Sequence, residues 1–282
     1  GPPSKLRNRP AETVGSFTGE PAMDYSGKVA IVTGGTKGIG RATVEVFAAA
    51  GARVVFCSHE DEGGKVLADA VTGKGPGRAR FERCDVSQVD AFERFVRGVG
   101  EHEGRIDCLV NNAGWHPPHK AIDDFTVDEF RRLLELNVVS IFVGCRTALP
   151  WLRQSHGAII NIASLVATIG QHHATTYVAT KGAVLSFTKA LAVDEAHYGV
   201  RVNAVSPGNV FTPLWQEAID ASPDPGRTRA DGEAAQPMGR MGTPHEVARL
   251  CLFLAAEATF ITGADHFVTG AAELGYGRKV RP

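Results

Sequence analysis

No apolar stretch of this 282-residue chain reaches the length that a membrane-spanning helix needs, about 18 consecutive residues. Charge of one sign is also missing. Thirty Lys and Arg stand against 31 Asp and Glu, a formal net charge of -1. That balance gives no electrostatic footprint for nucleic acid or an anionic membrane, so neither is expected as a partner. Cysteine is sparse: Cys57, Cys84, Cys108, Cys145 and Cys251 are scattered, and no Cys-x-x-Cys pair occurs. Such a set, mostly inside apolar runs, argues for reduced, buried thiols in a cytoplasmic protein and against a disulfide frame. Residues 1–22, GPPSKLRNRPAETVGSFTGEPA, lack the apolar core of a signal peptide. We set them aside as a leader or disordered extension and begin the fold at residue 23. No solenoid-type repeat is found.

What is present is alternation. Short β-branched runs at 28–34, 52–57, 79–86, 105–114, 157–164, 200–208 and 265–270 are separated by longer segments. Helical patterns occur in these at 38–50, 88–102, 126–153, 174–198 and 243–256. Seven such strands predict a parallel α/β sheet covered by helices on both faces, built as one domain over 23–282. The stretch 207–242 carries several Pro and Gly and reads as one long irregular segment, a candidate lid.

The first strand runs into Thr33-Gly-Gly-Thr-Lys-Gly-Ile-Gly40, which opens the first helix. Glycines there allow a tight turn and close approach of backbone to a pyrophosphate, and the helix N-terminus offers free N–H groups. A glycine cluster alone could be a simple tight turn. Its place after the first strand of an alternating pattern strengthens the nucleotide reading.

Tyr177 and Lys181 are four residues apart and share one helix face. Such pairs are common on surfaces. The other reading is chemical: an ammonium at about 5 Å in a dielectric of about 20 lowers a phenol by roughly two pKa units, enough to help it exchange a proton with an alcohol. Ser164 ends the fifth strand, where its hydroxyl can hold a developing oxyanion or merely make a turn. Asn137 interrupts an apolar helix, LLELNVVSIF, where Asn is unfavourable.

Taken together, TGGTKGIG, Asn111-Asn-Ala-Gly114, Ser164, Tyr177-x-x-x-Lys181 and Pro207-Gly208 resemble the short-chain dehydrogenase/reductase family. They fall in its order, over about residues 24–276. NNAGWHPP, YVATKGAV and PGNVFTPLW look most like its branch of 17β-hydroxysteroid and L-fucose dehydrogenases. The resemblance implies a Rossmann-type doubly wound sheet. It also implies hydride transfer between a nicotinamide and a secondary or ring hydroxyl, hydroxysteroid-like or a sugar such as L-fucose. Tyr177 is then the acid/base. Lys181 lowers its pKa and binds the nicotinamide ribose, Ser164 orients the substrate oxygen, and Asn137 supports a proton relay. A non-catalytic nucleotide sensor or scaffold is the alternative.

For the nucleotide, the resemblance points to Gly34, Thr36, Lys37, Gly38, Ile39 and Gly40 in the turn. It adds Asp85 and Val86 at the adenine, and Asn111, Ala113 and Gly114 at the adenosine ribose, with a sheet-stabilising role also open to Asn111. Pro207, Gly208, Val210 and Thr212 are assigned to the nicotinamide. Ser58, followed by His59, stands where NAD-selecting relatives carry Asp. With Lys37 nearby the charges lean towards NADP over NAD, although Glu60, Asp61 and Glu62 follow directly. The substrate candidates are His116, Gln171, Leu214, Trp215 and Tyr276, and His116 could equally be an ordinary loop histidine. Tyr276, in the tail, is implied to reach a neighbouring subunit's pocket. The ten histidines do not show metal-ligand spacing, so no metal is expected. The resemblance further implies a homo-oligomer, dimer or tetramer, joined through the helices at 126–153 and 174–198.

Overall fold

The computed structural model describes residues 23–61 and 63–274. The leader at 1–22 and Tyr276 lie outside the described residues. Seven strands form one parallel sheet in the order β3-β2-β1-β4-β5-β6-β7. They are β1 Val29–Thr33, β2 Arg53–Ser58, β3 Arg78–Arg83, β4 Cys108–Asn111, β5 Ala158–Ile162, β6 Arg201–Pro207 and β7 Asp265–Val268. Strands β1, β4 and β5 are buried along their whole length, as a sheet covered on both faces requires. The strand order reverses between β1 and β4, and the carboxyl ends beside that reversal are where open α/β sheets bind ligands.

Two apolar layers flank the sheet. Alternate residues of each strand feed them: Ala30 and Val32 enter one layer, Val29 and Ile31 the other. Helices α1 (Gly38–Ala49) and α10 (Pro244–Ala256) cover the first face. Helices α3 (Val89–Glu103), α5 (Ser140–Ser155) and α7 (Thr175–Glu195) cover the second. A short helix α2, Gly64–Thr72, joins β2 to β3.

The helix expected over 126–153 has three parts. Thr126 and Glu129 form a capping box that starts α4, Val127–Leu134. A π-helical turn, Glu135–Val139, follows, and α5 continues from Ser140. By length and composition alone, 127–155 could cross a membrane, but 56% of its most apolar window is buried inside the molecule. A four-residue turn α6, Val166–Ile169, precedes α7.

The stretch 207–242 is not irregular. It contains α8, Pro213–Asp220, and α9, Pro225–Ala234, each begun by an N-cap residue, Thr212 and Asp224, followed by Pro at the first helical position. All five cysteines are buried and free.

Candidate active site

The glycine turn is shaped by what it must fit beside. Gly34 has φ of 64°, and a Cβ on Gly40 would lie 2.0 Å from the Gly34 carbonyl oxygen and 2.5 Å from Asn112 Nδ2. Asn112, not singled out in the sequence, staples this turn to the end of β4. Its Nδ2 donates to the Thr33 and Gly34 carbonyls at 3.0 and 3.1 Å, and Thr33 Oγ1 accepts from the Asn112 and Ala113 N–H groups, both at 3.0 Å. Lys37 is the N-cap of α1 but makes no side-chain cap, and the first turn carries no acidic residue. The result is a backbone cradle facing uncapped helix N–H groups, which suits a pyrophosphate. Thr36 and Ile39 are part-exposed within it, and Ile39 packs on the first core layer. Thr212 leans against it: its Cγ2 would be 3.3 Å from a Cβ on Gly38.

At the end of β2 the geometry changes the charge reading. Lys37 Nζ is 2.7 Å from Glu60 Oε2, and His59 Nε2 is 3.6 Å from Glu60 Oε1. Ser58 Oγ accepts from the Glu60 N–H at 3.3 Å. The lysine counted towards a 2′-phosphate is thus already paired with a carboxylate, a pairing invisible until the strand end and the glycine turn are adjacent. Asp85 uses Oδ1 to accept from the Ser87 N–H and hydroxyl at 3.0 and 2.8 Å, and Val86 is buried beside it. The Asn111 side chain turns inward, donating to Asn161 Oδ1 at 2.8 Å and to Cys145 Sγ at 3.4 Å. It stabilises the sheet and leaves only its backbone for a nucleotide.

Tyr177, Ser164, Lys181, Asn137, His116 and Gln171 converge. Ser164 lies close enough to the Tyr177 phenol to lower its pKa. Lys181 is 5% exposed, with Nζ donating to the Ile162 carbonyl at 2.8 Å and lying 5.8 Å from the Tyr177 ring centroid. It has no carboxylate partner among the described residues, so burial lowers it to about 8. Burial likewise pushes the Tyr177 phenol up to about 12, against the smaller lowering effect of Ser164. Desolvation, not Lys181, sets the direction of the phenol's shift before a nucleotide binds. An ammonium with three donors and a single carbonyl partner retains capacity for hydroxyl oxygens, and the residues present fit a nicotinamide ribose.

Asn137 is fully buried in the π turn, an insertion that re-aims a side chain within a helix. Its Oδ1 accepts from the Trp115 N–H at 3.0 Å, and its Nδ2 donates to the Trp115 carbonyl at 3.0 Å and to Thr180 Oγ1 at 3.1 Å. It fixes the segment after Gly114 against α7, and its Oδ1 and Lys181 Nζ both face Gly114. His116 lies with its ring 4.2 Å from that of Tyr177 and Nε2 2.9 Å from Gln171 Oε1. Its Nδ1 is 2.7 Å from the Pro117 carbonyl. Leu214 is exposed. The Trp215 ring instead packs beside α9, 3.0 Å from where a Cβ on Gly232 would stand. Pro207 and Gly208 close β6, and Val210 is buried. No three His, Cys, Asp or Glu side chains among the described residues converge as metal ligands.

With that geometry in view, comparisons with known proteins agree. Residues 34–271 match the family described as enoyl-(acyl carrier protein) reductase. The chain is 51% identical over 255 residues to L-fucose dehydrogenase of Rattus norvegicus, covering 90% of this chain and 93% of that protein. It is 37% identical over 245 residues to cyclopentanol dehydrogenase of Comamonas testosteroni, covering 86% and 96%. The structure of L-sorbose reductase from Gluconobacter frateurii, complexed with NADPH and L-sorbose, superposes with a TM-score of 0.84. It is 29% identical and covers 89% of this chain and 98% of that one. The chain belongs to the short-chain dehydrogenase/reductase family. It is an NAD(P)-dependent oxidoreductase acting on CH–OH groups, and the non-catalytic alternative is not favoured.

Proposed function

We propose that this short-chain dehydrogenase/reductase oxidises the ring hydroxyl of a small sugar of the L-fucose type, or runs the reverse reduction. The observation that carries the reading is the Tyr177 phenol, beside Ser164 and covered by the His116 ring at 4.2 Å. Tyr177 takes the hydroxyl proton as the C–H bond breaks, and Ser164 holds the same oxygen while its charge changes. Lys181 binds ribose hydroxyls and supplies positive charge behind the phenol. Asn137 holds the Gly114–His116 segment against α7. The bound nucleotide supplies the hydride acceptor, and in its oxidised form a positive ring that favours phenolate. His116 and Gln171 offer donor and acceptor atoms to further hydroxyls on the ring. Exposed Leu214 and Trp115 favour a second reading, a hydroxysteroid-like substrate. A panel of L-fucose, other aldoses and 17β-hydroxysteroids, followed by nicotinamide absorbance, tests the choice. Steroid turnover without aldose turnover overturns the sugar reading.

The cradle would hold the pyrophosphate, Asp85 and Val86 the adenine, and 207–212 the nicotinamide. A 2′-phosphate must compete with Glu60 for Lys37, and the carboxylate stays close enough to repel it. We read the site as taking NAD without rearrangement and NADP only when the pair opens, which reverses the lean drawn from the sequence. The five free, buried thiols support a reducing compartment such as the cytoplasm. Exposed Val127, Phe142 and Val193 support pairing of subunits through α4, α5 and α7, as a dimer or tetramer.

A further inference from the structure

We propose that Gln236 is a positioning residue for the nicotinamide end of the cleft, acting with Asn209 to tie segment 207–212 to the lid. The inference rests on the nucleotide reading above. Gln236 is 3% exposed, and an amide is that buried only when its hydrogen bonds are made. Its Oε1 accepts from the Asn209 N–H at 3.4 Å, and its Nε2 donates to the Gly232 carbonyl at 3.0 Å and the Arg240 carbonyl at 3.1 Å. The partners fix the amide orientation, because a flipped group would set oxygen against two carbonyls.

Asn209 closes the same knot. Its Nδ2 donates to the Gly232 carbonyl at 3.0 Å, and its own carbonyl accepts from the Gly242 N–H at 2.8 Å. The lid therefore leaves the sheet at Asn209 and returns beside it at Gly242. A third segment meets them. Gly270, with φ of 58°, lies against Gln236, where a Cβ would stand 3.2 Å from Gln236 Cβ, and the Gly270 carbonyl accepts from the Met238 N–H at 3.3 Å. On the other side of Gly232, Trp215 and Met241 fill the lid's small interior. Gln236 is thus the point where the strand end, the lid and the chain after β7 exchange backbone hydrogen bonds. Loosening it lets Pro207, Gly208 and Val210 shift, while the glycine cradle across the sheet keeps its own staple through Asn112.

The test compares two ligands on the full chain: ADP-ribose, which lacks the nicotinamide, and whichever of NADH and NADPH binds the wild type more tightly. Gln236→Leu keeps the volume and removes all three hydrogen bonds. Titration calorimetry is expected to show the reduced dinucleotide bound about tenfold more weakly, roughly one 1.4 kcal/mol step, and ADP-ribose within about twofold of wild type. If Gln236→Leu does not fold, Asn209→Ala carries the same comparison. Equal weakening of both ligands, or no change in either, overturns the proposal. A wild type that binds no dinucleotide removes the nucleotide reading and the latch with it. A wild type that binds, with variants unchanged, removes the latch alone.

Discussion

Glu60 Oε2 lies 2.7 Å from Lys37 Nζ, joining the end of β2 to the glycine turn. Lys37 holds the Glu60 carboxyl below the ordinary carboxylate range, chiefly by that hydrogen bond. The lysine that the sequence offered to a phosphate is thus held by a carboxylate. Glu60→Gln keeps the shape and removes the carboxylate charge that faces Lys37. The ratio of kcat/KM for NADP over NAD is expected to rise about tenfold or more, roughly one decade being 1.4 kcal/mol. An unchanged ratio, with both nucleotides measured at saturating alcohol, refutes Glu60 as the selector.

Tyr177→Phe removes the oxygen to which the proposed mechanism gives the proton, and keeps the ring against His116. Turnover is expected to fall by at least the 10²–10⁴ ascribed to general acid–base catalysis (about three decades). Nucleotide binding should stay within about twofold, because the phenol oxygen is not part of the cradle. Residual turnover near wild type shows that another group carries the proton.

The pH profile follows from the same phenol. Oxidation needs phenolate, and reduction needs the neutral phenol, whose pKa is pushed up to about 12 before nucleotide binds. Below that value the phenolate fraction rises about tenfold per pH unit. kcat/KM for alcohol oxidation should therefore climb through the neutral and alkaline range, while carbonyl reduction stays level there. An oxidation profile flat between pH 7 and 10 counts against Tyr177 as the base.

Much of this was legible beforehand for a physical reason. The strands are short β-branched runs, and Ser164, Tyr177 and Lys181 sit at strand ends or helical spacing that sequence displays. What escaped has no periodicity to display. Helix α9 buries only Gly232 of its ten residues, so it shows no apolar stripe and 207–242 reads as irregular. Asn112 and Glu60 act across 78 and 23 residues of chain, on partners that only the sheet order brings near. The direction of the Tyr177 shift is hidden from spacing, which reports a neighbour but not the burial of both groups.

Burial of Lys181 also makes a stability prediction. Its pKa falls from 10.5 to about 8 on folding, with desolvation the cause. Below about pH 8 both native and unfolded chains carry the proton, and the native state bears the full penalty, on the order of 3 kcal/mol. Between about 8 and 10.5 the unfolded chain binds more protons, so stability gains with pH from this group. Lys181→Met is expected to melt higher than wild type at pH 7, with the gap closing by pH 10. A constant gap across that range shows that the lysine is not desolvated as described.

The cradle can be tested by a pair of glycines that differ only in surroundings. A Cβ on Gly40 would meet the Gly34 carbonyl oxygen at 2.0 Å, a backbone atom that cannot yield without opening the turn. Gly98, in the middle of α3, has nothing within 4 Å of the same added atom. Gly98→Ala should be neutral or stabilising by up to about 1 kcal/mol, the helix propensity difference. Gly40→Ala should lower nucleotide affinity more than tenfold, because the Asn112 staple and the free N–H groups of α1 move together. Equal affinities for the two variants in the same titration would mean that the turn's shape is not what the nucleotide reads.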